Sequence, residues 1–160
     1  MKSTGNTSAG QAAGYWLSNG SCNSLNDCLA DDNSGYTWCA GLVLENENQS
    51  IIHNSRTQGN LSLTGTAYSI YLLGNNNNAC NIYKNQINNT TGALASFGIV
   101  DERTPSTSSV IKNQAFNNGT NYVVTYTTGV TLPVVSGKIT GAPGLPSGAS
   151  GLLDNIDIQL

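Results

Sequence analysis

The sequence predicts an all-β fold: a single-stranded parallel β-helix, a solenoid of about five rungs with an irregular C-terminal cap. Three observations lead there. Similar segments recur at nearly fixed steps, the apolar runs between them are strand-short, and the intervening residues are mostly asparagine, glycine, serine and threonine. A repeat in the range of roughly 20 to 50 residues marks a solenoid, because each repeat buries its apolar face only by stacking on its neighbours. Helical repeats would need runs of about 10 or more residues with a 3.6-residue pattern. Here the runs are short and rich in Val, Ile, Tyr and Thr, which suit strands.

Taken in order, residues 1–13 (MKSTGNTSAGQAA) are small and polar without periodicity, and read as a flexible N-terminal arm or an incomplete cap. From Gly14 the repeat can be phased. First-strand markers Gly14, Gly41, Ser69 and Gly98 stand 27, 28 and 29 residues apart. Second-strand markers Leu25, Ile51, Ile82 and Val110 stand 26, 31 and 28 apart. In this phasing Tyr15, Leu42, Ile70 and Ile99 form one inward column, and Leu17, Leu44 and Leu72 another on the same face, because side chains alternate along a strand. Trp16, Val43, Tyr71 and Val100 then point outward. Three positions after the second-strand column come Cys28, Asn54, Asn85 and Asn113, a column whose amides can hydrogen-bond from rung to rung at a corner. A third apolar patch (Leu61 with Leu63, Ile87, Phe116) aligns less well. The rungs span residues 14–126. Residues 127–160, with Pro133, Pro143 and Pro146 among many glycines, read as a last irregular rung and a cap over an open sheet end.

The segments CNIYKNQINN and SVIKNQAFNNG, each with an upstream glycine- or serine-led apolar strand, resemble the right-handed parallel β-helix superfamily of pectate-lyase-like fold. The resemblance covers Gly14 to Asn121. It implies a fold shared by polysaccharide lyases and hydrolases, phage tailspikes, adhesins and viral surface proteins. Fold alone does not fix activity. The catalytic segments of polygalacturonases (Asn-Thr-Asp, Gly-His-Gly, Arg-Ile-Lys) are missing, as are the acidic calcium clusters and catalytic arginine of pectate lyases. The sole arginines are Arg56 and Arg103.

Composition narrows the function classes. Of 160 residues 38% are hydrophobic and only 9% charged; asparagine is about one residue in seven. Polarity therefore comes from amides and hydroxyls. The net charge is −3 with a pI near 4.7, and the few scattered basic residues do not make the cationic surface that nucleic acid requires. No apolar run approaches the roughly 18 residues of a membrane span. The first residues lack the apolar core of a secretory signal. An extracellular, cell-surface or virion-surface setting is the expectation, without a visible export signal.

Sugar cleavage by acid–base chemistry needs acidic groups at set separations. The adjacent acids are Asp31–Asp32 and Asp101–Glu102, and these four are the catalytic candidates. Asp101 falls where Leu17, Leu44 and Leu72 fall in other rungs. It reads either as an acid lifted into a groove or as the first residue of a turn, DERTPS. By this phasing the two acidic pairs sit at different corners. His53 aligns with Asp27, Lys84 and Lys112 on an outward position, without a nucleophile beside it. Cys22, Cys28, Cys39 and Cys80 lack zinc-site spacing; they read as thiols filling the stack, with disulfides open. No metal or cofactor is implied.

The outward aromatics Trp16, Tyr71 and Tyr83 are the binding candidates. Aromatic faces beside Asn and Asp suit sugar stacking; the same stripe suits contact between parallel copies, as in trimeric fibres, or a covering loop. Two functions follow. The first is a non-enzymatic structural or attachment module that assembles through its flat faces into a homo-oligomer or larger particle. The second is a glycan-binding or polysaccharide-cleaving protein.

Overall fold

A computed structural model describes residues 1–74, 79–106, 108–126, 134–136 and 155–158. The regular elements among them are strands, joined in parallel sheets. They stack as a β-solenoid of about 4 turns, fewer than the rung count expected from the repeat.

Each full turn has four walls. The widest is the sheet of Gln11–Ser18, Trp38–Glu45, Thr66–Leu73, Ala95–Ser106 and Thr120–Tyr126. A second wall stacks Ser24–Asn26, Ile51–His53, Asn81–Tyr83 and Ser109–Ile111. A third stacks Lys2–Thr4, Leu29–Asp31, Arg56–Gln58, Gln86–Asn88 and Gln114–Phe116, and a short fourth stacks Thr7–Ser8, Ser34–Gly35, Leu61–Ser62 and Thr91–Gly92. In the third wall Asn155–Ile158 pairs with Gln114–Phe116, and Val134–Ser136 pairs with Asn155–Ile158. The rest of the expected cap lies outside the described residues.

The widest sheet keeps the expected register. Tyr15, Leu42, Ile70 and Ile99 are aligned, as are Leu17, Leu44, Leu72 and Asp101. The interior is apolar: Leu42, Leu44, Ile52, Ile70, Leu72, Ile82, Ile87 and Ile99 form one core and are fully buried. Each such side chain contributes about 1.5–3 kcal/mol on burial. The long strands bend at the column Gly14–Gly41–Ser69–Gly98. Ser69 and Ile70 both lie buried in the interior while Tyr68 and Tyr71 share the outer face. A Cβ on Gly41 would stand 2.7 Å from the Ser69 carbonyl oxygen, so the bend needs glycine or a very small residue.

Corners explain the composition. Left-handed backbone recurs in columns, one formed by Gly5, Asp32, Gly59, Asn89 and Asn117, another by Asp27, Asn54, Lys84 and Lys112. Asn, Asp and Gly tolerate this conformation best. Ser55, Asn85 and Asn113 each follow a left-handed residue and are buried, and their side-chain oxygens receive the backbone N–H of the rung before. Ser55 Oγ accepts from Cys28 N (3.1 Å), Asn85 Oδ1 from Ser55 N (2.9 Å) and Asn113 Oδ1 from Asn85 N (3.0 Å). The same arrangement links Asn6, Asn33 and Asn60. At another corner Asn23 N is received by Ser50 Oγ and Cys80 N by Ser108 Oγ. These ladders satisfy backbone groups that the turns leave unpaired.

Four expectations are corrected. Residues 1–13 are not an arm: Lys2–Thr4 and Thr7–Ser8 pair with the following turn, and Asn6 joins its ladder. The second-wall column runs through Ile52, aligned with Leu25 and Ile82, and not through Ile51. With that one-residue slip Ser55 replaces Asn54 in the ladder. His53 aligns with Asn26 and Tyr83 instead of Asp27, Lys84 and Lys112. The inward column of the third wall is Ala30, Thr57, Ile87 and Ala115; Leu61 belongs to the fourth wall and Leu63 is exposed.

Candidate functional site

The outer face of the widest sheet gathers five aromatic rings, those of Trp16, Trp38, Tyr68, Tyr71 and Phe97. Trp16, Val43, Tyr71, Val100 and Val123 form one cross-rung row, and Ala13, Ala40, Tyr68 and Phe97 form another across the strand bend. Trp38 stands two residues before the second row, and its ring reaches rings of both. Its ring centre stands 5.6 Å from Trp16, 5.9 Å from Tyr68 and 6.0 Å from Tyr71. Tyr68 and Tyr71 stack at 4.1 Å, and Tyr68 meets Phe97 at 5.6 Å. Such spacings fall in or near the attractive range for aromatic pairs. Ala40 and Val43 pack with these rings and are fully buried although they lie on the outer side of the sheet. Trp16 is 43% exposed at one margin.

Acids flank the paving. Glu45 Oε2 accepts from the Trp16 indole N–H at 3.0 Å and from Ser18 Oγ at 2.8 Å. Glu102 Oε2 accepts from the Tyr71 hydroxyl at 2.5 Å. Burial, and then the hydrogen bond and charge of Glu102, push the Tyr71 phenol well above the ordinary tyrosine range. Tyr68 is pushed up as well, first by burial and then by Glu102.

The remaining candidates lie elsewhere. Tyr83 belongs to the second wall, where it stacks on His53 with ring centres 5.0 Å apart. Asp31 sits on the third wall, its Oδ2 2.5 Å from Arg56 Nη2. Asp32 is exposed at a left-handed corner. Asp101 is neither in a groove nor at the start of a turn. The strand runs from Ala95 to Ser106, and Asp101 points into the core, fully buried with Arg103.

That pair is the most charged feature of the interior. Asp101 Oδ1 accepts from Arg103 Nε at 2.8 Å and from its backbone N at 3.1 Å, and Asp101 Oδ2 accepts from Nη2 at 2.8 Å. Arg103 Nη1 also reaches Cys80 Sγ at 3.3 Å, and Nη2 donates to Ser108 Oγ. Burial pulls the guanidinium down, while the hydrogen bond and charge of Asp101 raise it; the net shift is upward. A carboxylate held this way does not reach a substrate. Glu47 is also buried, with Oε1 accepting from Gly20 N and Oε2 from Asn23 Nδ2 and Ser50 Oγ. It fills a corner ladder.

Among the described residues no group of three or more His, Cys, Asp or Glu is arranged to hold a metal ion. All four cysteines are free thiols, Cys22 exposed and the others buried; burial pushes the Cys39 thiol up to about 11. No helix among the described residues is long and apolar enough to cross a membrane.

Sequence reasoning found Trp16 and Tyr71 but missed Trp38, Tyr68 and Phe97. The signal was present: Trp38 precedes Gly41 by three residues and Phe97 precedes Gly98 by one. The bend at the glycine column carries the outer face backward along each strand. No protein-family model, curated protein or solved structure matches the chain.

Proposed function

We propose that this chain is a non-enzymatic structural or attachment module of pectate-lyase-like β-helical type, which assembles by packing the aromatic outer face of its widest sheet against a second copy. The observation that carries this reading is the contiguous paving of Trp16, Trp38, Tyr68, Tyr71 and Phe97 on one wall. Aromatic residues are enriched in the cores of protein interfaces. The acids support the same reading, since Asp31 and Asp101 are engaged by arginines on different walls. Light scattering over a protein concentration series tests it. The wild-type chain is expected to be a dimer, trimer or larger species, and Trp16→Glu combined with Phe97→Glu to be a monomer with unchanged circular dichroism. A wild-type monomer at every concentration would overturn the proposal.

A second reading has one observation in its favour. The exposed Trp16 ring lies beside the Glu45 carboxylate, the pairing of apolar platform and hydrogen-bond acceptor that a neutral sugar needs. Saturable quenching of tryptophan emission by an oligosaccharide, lost in Trp16→Ala, would favour glycan binding over self-assembly.

A further inference from the structure

We propose a binding site for a doubly charged tetrahedral oxyanion, phosphate or sulfate, at the corner that carries Lys84 and Lys112. It stands apart from the aromatic face and does not depend on the function proposed for that face. The two lysines occupy the same left-handed corner column, with φ of 56° and 55°. They follow Tyr83 and Ile111, which pair across adjacent rungs. Adjacent parallel strands lie about 4.8 Å apart, so the lysine backbones are stacked at that spacing. Like charges placed opposite each other in neighbouring strands repel. Among the described residues neither ammonium makes a hydrogen bond or ion pair. The acid of the column, Asp27, is two rungs below Lys84, with Asn54 between them.

Beside the lysines is a hollow of about 200 Å³ lined by Lys84, Asn85, Gln86, Lys112 and Gln114. Its chemistry is one-sided. Gln86 and Gln114 are register partners and both exposed, so their amide groups can turn toward a ligand. The Asn85 amide is already committed to Asn113 Oδ1 and the Ile52 carbonyl. Arg56, aligned with Gln86 one rung below, is held by Asp31. No carboxylate lines the hollow. The donors are thus a pair of ammonium groups and a pair of primary amides, which match the charge and the several acceptor oxygens of a phosphate or sulfate. The hollow is also a departure from the local rule for corners. Asn is cheaper than Lys in left-handed backbone, and Asn54 fills the position in the preceding rung, yet lysine stands there in consecutive rungs.

The test is calorimetric titration of sodium phosphate and sodium sulfate into the intact chain at neutral pH, with sodium chloride keeping ionic strength constant. Saturable one-to-one binding is expected, weakened about tenfold or more by Lys84→Asn or by Lys112→Asn, since each removes a charge-assisted donor set. Lys2→Asn, three rungs below Gln86 in the same register column, should leave binding unchanged. Because Asn54 already occupies this corner position, both variants should keep the wild-type circular dichroism. A readout without mutation is available in reductively dimethylated protein, where the Lys84 and Lys112 methyl resonances should move with added phosphate and the other lysines should not. Dextran sulfate separates the sources: tighter binding per sulfate than the free ion identifies a sulfated polymer, and equal binding identifies the free anion. Absence of saturation, an equal response to chloride, or unchanged binding in both corner variants would overturn the site.

Discussion

Replacing Asp101 by leucine restores the side chain that this column carries in the other rungs, and the structure says it should be severely destabilising. Leu17, Leu44, Leu72 and Asp101 share one register column. On column statistics alone Asp101→Leu would be an improvement. The geometry argues otherwise: the Asp101 and Arg103 side chains are both 0% exposed, and the carboxylate receives both Nε and Nη2. Removing one partner of a buried pair leaves an uncompensated charge and costs about 3–5 kcal/mol. Native domains have only about 5–15 kcal/mol in total. Removing both partners, as in Asp101→Leu with Arg103→Leu, removes the charge and extends the apolar column; such replacements are often neutral or stabilising by about 1–4 kcal/mol. Ser108 Oγ would still accept from Cys80 N, so that corner stays satisfied. Urea unfolding followed by far-ultraviolet circular dichroism reads the order of midpoints. The expected order is single variant far below wild type, with the double variant near or above it. A single variant within about 0.5 kcal/mol of wild type, the range of an ordinary surface substitution, would refute the buried-pair reasoning.

Other outcomes follow from the corners and the aromatic face. Asn85→Ala removes the acceptor of Ser55 N and the donor to Ile52 O, so it should cost about 2–4 kcal/mol and speed deuterium exchange at the Ser55 amide. Asn85→Ser keeps an acceptor of the kind Ser55 provides one rung earlier, and should recover part of that loss. Tyr71 has its folded-state ionisation raised above the ordinary value of 10.0. Its contribution to stability is therefore full below that value and is lost as pH rises past it toward the folded-state value. Tyr71→Phe should flatten the alkaline limb of a stability–pH curve, measured as the unfolding midpoint across that range.

The widest sheet was legible because its strands are long and carry a small residue at one shared position, Gly14, Gly41, Ser69 and Gly98, whose recurrence sets the register. Other parts were hidden for physical reasons. Ile51 and Ile52 are adjacent and equally apolar, so hydrophobicity alone could not choose between them; the choice is made at Ser50 and Ser55, whose hydroxyls take ladder positions that asparagine amides take elsewhere. A ladder needs an acceptor of the right reach and does not require asparagine. Residues 1–13 looked patternless because their contribution is a corner, Gly5–Asn6, matching Gly59–Asn60 two rungs on, with hardly any apolar residue to mark it. Asp101 was misread because an acid in an apolar column is permitted only by a partner. Arg103, two residues along the same strand and so on the same face, was that partner. The aromatic site was half visible: the outward row was found, but the rings across the glycine bend break strict alternation.

The chain's two tryptophans, Trp16 and Trp38, both belong to the face proposed to pack against a second copy. Tryptophan emission therefore reports on that face alone, and its dependence on protein concentration is the most direct test. Self-assembly predicts a blue shift and a fall in acrylamide quenching as concentration rises, both absent in Phe97→Glu. An emission maximum and a quenching constant that stay the same from dilute to concentrated protein would contradict it.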